Sequence, residues 1–213
     1  MINKKAQILA EYVRNLNNFA IQTTIDGDYN HMGAIISDAI LQAGTRYATV
    51  VRPRIMNIMA LYPEVRTTSG FLQLILKIGV KNVLSWHDDE KPNRVVGATE
   101  FFIKEGVETQ EDLRTWLSQE GNIQKLLSLR GVGPKTADYF KILAGIQTNA
   151  IDRHLLKFLE EAGIQVSNYQ EAQEIINLTA DILGLDRAIF DHSIWKYMSN
   201  GKDAGCKKSS KDY

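Results

Sequence analysis

At 213 residues the chain has room for one large domain or two small ones, each able to bury its own core. Its composition, 44% hydrophobic and 23% charged, excludes a disordered or fibrous protein. A formal charge of zero excludes a protein that coats nucleic acid over its whole surface, so any affinity for polyanions must come from local charge.

The N-terminal segment carries Ile8, Leu9, Tyr12, Val13, Leu16 and Phe19 at the i, i+3, i+4, i+7 spacing of one buried helix face, which predicts a first helix over residues 4–19. Glu11 and Arg14 interrupt the apolar positions, so the uncharged core of a secretory signal does not form. The expectation is an intracellular protein, of the cytoplasm and nucleoid, or of the nucleus in a eukaryote. A second stripe, Met32, Ile35, Ile36, Ala39 and Ile40, runs to Gln42-Ala43-Gly44, where glycine marks a helix end.

Further helices are predicted over 46–60, 68–77, 92–105, 109–118, 122–128, 134–145, 150–162, 168–183 and 186–199, with turns at Tyr62-Pro63, Lys91-Pro92, Gly121 and Gly131-Val132-Gly133. The longest apolar runs, such as Phe71-Leu72 and Leu74-Ile75-Leu76, fall well short of the roughly 20 residues of a membrane span. No segment alternates apolar and polar residues, and no period recurs, so the fold class is all-α and irregular. Residues from about 202 to 213 are polar and lysine-rich and read as a mobile tail. The single cysteine, Cys206, can form no internal disulfide and cannot supply the roughly four ligands of a zinc or iron–sulfur site. No metal is expected.

Chemistry concentrates between residues 125 and 157, where Lys125, Arg130, Lys135, Lys141, Arg153 and Lys157 face only Asp138 and Asp152, a local excess of +4. Within it, Leu126, Leu127 and Leu129 close one helix, Gly131 and Gly133 allow a tight hairpin, and Pro134 suits the first turn of the next helix. Amides at the start of that second helix lie outside its hydrogen-bond ladder and at the positive end of its dipole, so they can hold an anion. With no side chains on Gly131 and Gly133, a phosphodiester could come close to the backbone. A structural turn fits these residues equally well.

The longer pattern is more specific. Leu129 to Ala137, followed by Ile151, Asp152, Arg153 and His154, resembles the signature of the helix-hairpin-helix DNA glycosylases, the superfamily of endonuclease III and the 8-oxoguanine glycosylases. The resemblance implies two helical lobes with a DNA-binding cleft between them: a barrel lobe over 27–147 ending in the hairpin, and a discontinuous lobe of 1–26 with 148–213. It implies a base-excision-repair glycosylase that removes a damaged, oxidised base from lesion-bearing double-stranded DNA, acting as a monomer. Where endonuclease III carries four cysteines for an iron–sulfur cluster, this chain has Asn200 to Cys206 and a tail, so no cluster and no other cofactor is expected.

By the same resemblance Lys135 is the nucleophile that forms a Schiff base and gives AP-lyase activity, and Asp152 is the carboxylate that stabilises the oxocarbenium-like sugar. Lysine in the first turn of a helix is otherwise a solvated cation, and Asp before a helix is otherwise its N-cap. Gly131, Val132, Gly133, Thr136 and Arg153 are the expected DNA contacts, with Gln42 on a loop that fills the gap left by an extruded base. Phe190 and Trp195 could stack on that base and Asp191 accept a hydrogen bond from it, although core packing also fits both aromatics. Two alternatives stand: a monofunctional glycosylase in which Lys135 only binds phosphate, and a non-catalytic DNA-binding module.

Overall fold

The computed structural model describes residues 1–23 and 29–200, the side chain of Asn200 excepted; the expected tail, including Cys206, lies outside them. Among the described residues the ordered elements are helices, as the apolar periodicity requires, and none is long and apolar enough to cross a membrane. The chain divides into two compact units, Asp26–Ile146 and the discontinuous pair Met1–Ile25 with Gln147–Tyr213.

The larger unit is built around α2 (Met32–Leu41), every residue of which is buried. A helix buried on all sides has to be enclosed, and α3 (Arg52–Leu61), α4 (Thr68–Ile78), α6 (Glu90–Lys104) and α9 (Pro134–Leu143) pack around it. Gly33 permits the closest approach, since a Cβ there would collide with the Phe71 ring. His31 caps α2: its Nδ1 accepts from the Ala34 amide at 3.1 Å, and its Nε2 lies 3.1 Å from the Tyr62 carbonyl. An accepting Nδ1 leaves the proton on Nε2, which donates to Tyr62, and burial holds the imidazole pKa below its ordinary value. A π-helical turn, Tyr47–Val51, leads into α3. The short helices α5 (Val80–Leu84), α7 (Gln110–Leu117) and α8 (Asn122–Leu127) complete the unit. Thr109 and Asp112 form a capping box at the start of α7.

In the second unit α1 (Ile2–Asn15) packs on α11 (Tyr169–Leu183), and α10 (Arg153–Glu161) on α12 (Arg187–Asn200). Phe158 is central, with ring centroids of Tyr12, Phe19 and Tyr197 at 5.5, 5.8 and 5.9 Å. The first helix stops at Asn15, four residues earlier than predicted, because Phe19 continues the apolar stripe from an irregular segment. Lys5 joins α1 to α11 through Glu171 at 2.6 Å, and this hydrogen bond, before any other cause, holds the Glu171 carboxyl at about 2.

Candidate functional site

The hairpin is set by its residues. Gly131 has φ +84, in the left-handed region that favours glycine, and Gly133 is extended with no side chain to cap α9, which begins at Pro134. Val132 is buried in the core of the larger unit and anchors the hairpin there, while Gly131, Gly133 and Pro134 are exposed. The hairpin therefore presents backbone outward and holds itself inward by one side chain. Lys135 stands half-buried on the first turn of α9. Thr136, one residue on, is only 6% exposed. As a side-chain contact for DNA Thr136 is thereby corrected: it faces the core.

The fold brings carboxylates up to most of the basic residues between 125 and 157. Lys125 pairs with Glu105 at 2.7 Å, Arg130 lies 3.9 Å from Glu90, Lys141 pairs with Asp138 at 2.9 Å, and Lys157 with Glu161 at 3.6 Å. Glu90, Glu105 and Glu161 stand outside the segment that carries the +4 excess, so its field is partly cancelled at close range. Backbone amides at the start of α9 add to the remaining positive charge in favouring an anion here.

Around the turn that follows α2, Gln42 is half-buried, and its amide nitrogen is shielded from solvent with no hydrogen-bond partner among the described residues. The exposed residues of this turn are Gly44 and Arg46. Below it lies a cluster the sequence reading missed. Asp38, fully buried in α2, accepts from the hydroxyls of Tyr29 at 2.6 Å, Tyr47 at 3.2 Å and Tyr139 at 3.4 Å. Burial, and then the Asp38 charge, push the pKa of Tyr29 and Tyr139 up, so these phenols stay protonated and donate. Tyr139 is four residues after Lys135, on the same face of α9. An acidic residue inside an otherwise apolar stripe was the available signal.

In the other unit, the segment Gln147–Asp152 is fixed residue by residue. Asn149, fully buried, donates to Asn177 at 2.7 Å, and its carbonyl accepts from Gln173 at 2.9 Å. The Ala150 amide donates to Asp191 Oδ2 at 2.7 Å, and the Ile151 amide to Tyr169 Oη at 3.2 Å. Asp152 follows as the N-cap of α10, its Oδ1 accepting from the amides of His154 at 2.7 Å and Leu155 at 3.1 Å. Its Oδ2 lies 3.2 Å from His154 Nδ1. The His154 ring meets Trp195 edge to face at 6.3 Å, and His192 stacks on the same indole at 5.9 Å. Arg153 is exposed beside them.

Asp152, His154 and Trp195 are thus neighbours. Phe190 is not one of them: it is fully buried in the core of the unit, 6.2 Å from Phe19, and its assignment to a base pocket is corrected to packing. Asp191 acts on the backbone of the loop that delivers Asp152. Among the described residues no group of three or more His, Cys, Asp and Glu is arranged to hold a metal ion.

A family described as "Domain of unknown function (DUF8548)" matches residues 54–199. No curated protein matches the chain. Among solved structures it is similar to the crystal structure of H. pylori 3-methyladenine DNA glycosylase (MagIII) bound to 1,N6-ethenoadenine, with a TM-score of 0.66 at 16% identity, covering 92% of this chain and 98% of that one. That likeness establishes the fold of a helix-hairpin-helix glycosylase over nearly the whole length.

Proposed function

The chain belongs to the DUF8548 family, and within it we propose a base-excision DNA glycosylase that removes a damaged base from duplex DNA and then breaks the strand through a lysine Schiff base. The observation that carries this reading is the Asp152 constellation. A carboxylate is held at a helix start by two amides and a histidine ring, on a segment whose preceding residues are all anchored. A structural N-cap alone does not need such a foundation.

In this reading the exposed hairpin backbone at Gly131 and Gly133 accepts a phosphate and sets the register of the duplex. A base must leave the stack before its glycosidic bond can be cut, at a cost of roughly a few kcal/mol that damage lowers. As the base departs, the sugar gains positive charge and Asp152 stabilises it. The Lys135 amine attacks C1′ as the base leaves; opening of the sugar ring at the C1′–O4′ bond, with O4′ taking the proton, gives a Schiff base, which allows elimination of the 3′ phosphate with the proton lost from C2′. The half-buried rings of Tyr29 and Tyr47, ranged about Asp38, are the groups of the larger unit that fit recognition of an extruded base. No cofactor is required, DNA with a single lesion is the partner, and the enzyme acts as a monomer.

The substrate class is a modified base. Kinship of the Lys135 motif with the 8-oxoguanine glycosylases favours an oxidised base, and the bound 1,N6-ethenoadenine of the similar structure places adducted purines beside it in any panel. The test is borohydride trapping on duplexes that each carry one such lesion. A covalent adduct with the parent protein that disappears in Lys135→Ala supports the lyase; base release with no adduct on any duplex leaves a monofunctional glycosylase.

A further inference from the structure

Two loops of the larger unit are held by the start of a single helix. Lys91, the second residue of α6, donates from its ammonium to the Leu41 carbonyl at 2.5 Å, to the Ala43 carbonyl at 2.6 Å, and to the Thr45 hydroxyl. An ammonium has three protons, and the turn supplies three acceptors. Two of these are carbonyls at the C-terminal end of α2, where helix geometry leaves acceptors outside the ladder and the dipole favours a cation. The Trp86 ring lies 5.3 Å from the same ammonium and 5.2 Å from the Arg54 guanidinium, whose Nη1 donates to the Val50 carbonyl of the π-helical turn at 2.6 Å. Burial, and then neighbouring Arg94, lower the Lys91 pKa.

One turn further along α6, Arg94 reaches the other loop. A Cβ at Gly131 would fall 2.6–2.7 Å from three atoms of the Arg94 guanidinium, so the guanidinium packs against the hairpin backbone itself. Glu90, at the head of the same helix, steadies it through Nη2 at 2.6 Å.

We propose that Lys91 and Arg94 are positioning residues that key the 41–45 turn and the 131–133 hairpin to one another, so that a duplex seated on the hairpin meets the turn at the height of the extruded nucleotide. The inference rests on the glycosylase reading and adds to it the part that sets base extrusion. A lysine is required at position 91 because its three donors diverge; the planar fork of arginine cannot reach the same three oxygens.

The experiment uses a duplex with a tetrahydrofuran abasic analogue and 2-aminopurine as the base facing it. Binding is followed by anisotropy, unstacking by 2-aminopurine fluorescence, and folding by thermal unfolding. The parent binds and raises the fluorescence. Lys91→Met binds within about threefold of the parent, but at saturation loses at least half of the fluorescence rise, and Lys91→Arg does the same although it keeps the charge. Arg94→Met instead weakens binding about tenfold and leaves the rise at saturation intact. Should Lys91→Met fail to fold, Thr45→Val, which removes one acceptor, is expected to lose a smaller part of the rise. A simple phosphate contact would give the opposite pattern, with affinity lost in Lys91→Met and restored in Lys91→Arg, and would overturn the proposal. A parent that binds and unstacks, with every variant matching it, defeats the positioning role alone. A parent that does not bind this duplex defeats the glycosylase reading and the inference with it.

Discussion

Replacing Asp152 by asparagine and by alanine separates its two possible roles. The carboxylate caps α10 with bonds to the His154 and Leu155 amides, and asparagine caps about as well as aspartate, so Asp152→Asn should stay within ~0.5 kcal/mol of the parent in stability. Alanine removes the cap, at about 1 kcal/mol, which in a chain of this size lowers Tm by roughly 2–4 °C. The chemistry orders the variants differently. Loss of one preorganised electrostatic group at a developing charge typically costs ~10²–10³ in rate, and both variants lose the charge. Single-turnover excision, measured with enzyme in excess on the lesion that the parent processes, should therefore fall by about that factor for Asp152→Asn at nearly unchanged Tm. A variant with parental Tm and parental rate would reduce Asp152 to a cap and refute the reasoning.

Other outcomes follow from single contacts. Gly131→Ala must place a side chain at φ +84 and displace the Arg94 guanidinium, which costs about 1–3 kcal/mol when left-handed strain and a weakened surface ion pair are combined. Gly44→Ala, at φ +67 with no atom within 4 Å of its Cβ, should cost only the strain, about 1–2 kcal/mol; equal losses in chemical denaturation would show that the Arg94 contact contributes nothing. Stability should also depend on His31. Because its folded pKa is lowered, the folded state binds fewer protons, so the stability it contributes is full above ~6.5 and is lost as pH falls from there towards the folded pKa. His31→Asn, which keeps a cap, should flatten the denaturation midpoint over that interval, and an unchanged slope would place the titration elsewhere.

Much of the fold is written in the apolar spacing. The stripes predicted over 68–77, 122–128 and 168–183 correspond to helices at Thr68–Ile78, Asn122–Leu127 and Tyr169–Leu183. Periodicity fails where it has nothing to act on: α5, of five residues, is too short to show a face. It misleads where an irregular segment packs as a helix would, as at Phe19. It also cannot say which aromatic of α12 turns inward. Phe190 and Trp195 differ by five residues, about 140° around the helix, and only the packing of α10 and α11 decides that Phe190 fills the core.

The hairpin and Asp152 were legible because their residue types are demanded locally, by positive φ and by a helix start. The groups that support them were not. Tyr169, Gln173 and Asn177 hold Asn149 and Ile151 of the Asp152 segment from 18 to 28 residues away, and each alone is an ordinary polar residue. The counter-charges near the basic segment were hidden for the same reason, since Glu90 and Glu105 reach it only through the fold.

Release of a free base is the most direct measure of what this chain does. The parent protein is incubated with duplexes that each contain one oxidised or adducted base, 1,N6-ethenoadenine and 8-oxoguanine among them, and the small-molecule fraction is read by mass spectrometry. At least one modified base should appear in free form with the parent and at a rate lower by about two orders of magnitude with Asp152→Asn. Duplexes that all remain intact, under conditions where the protein binds them, would contradict the account.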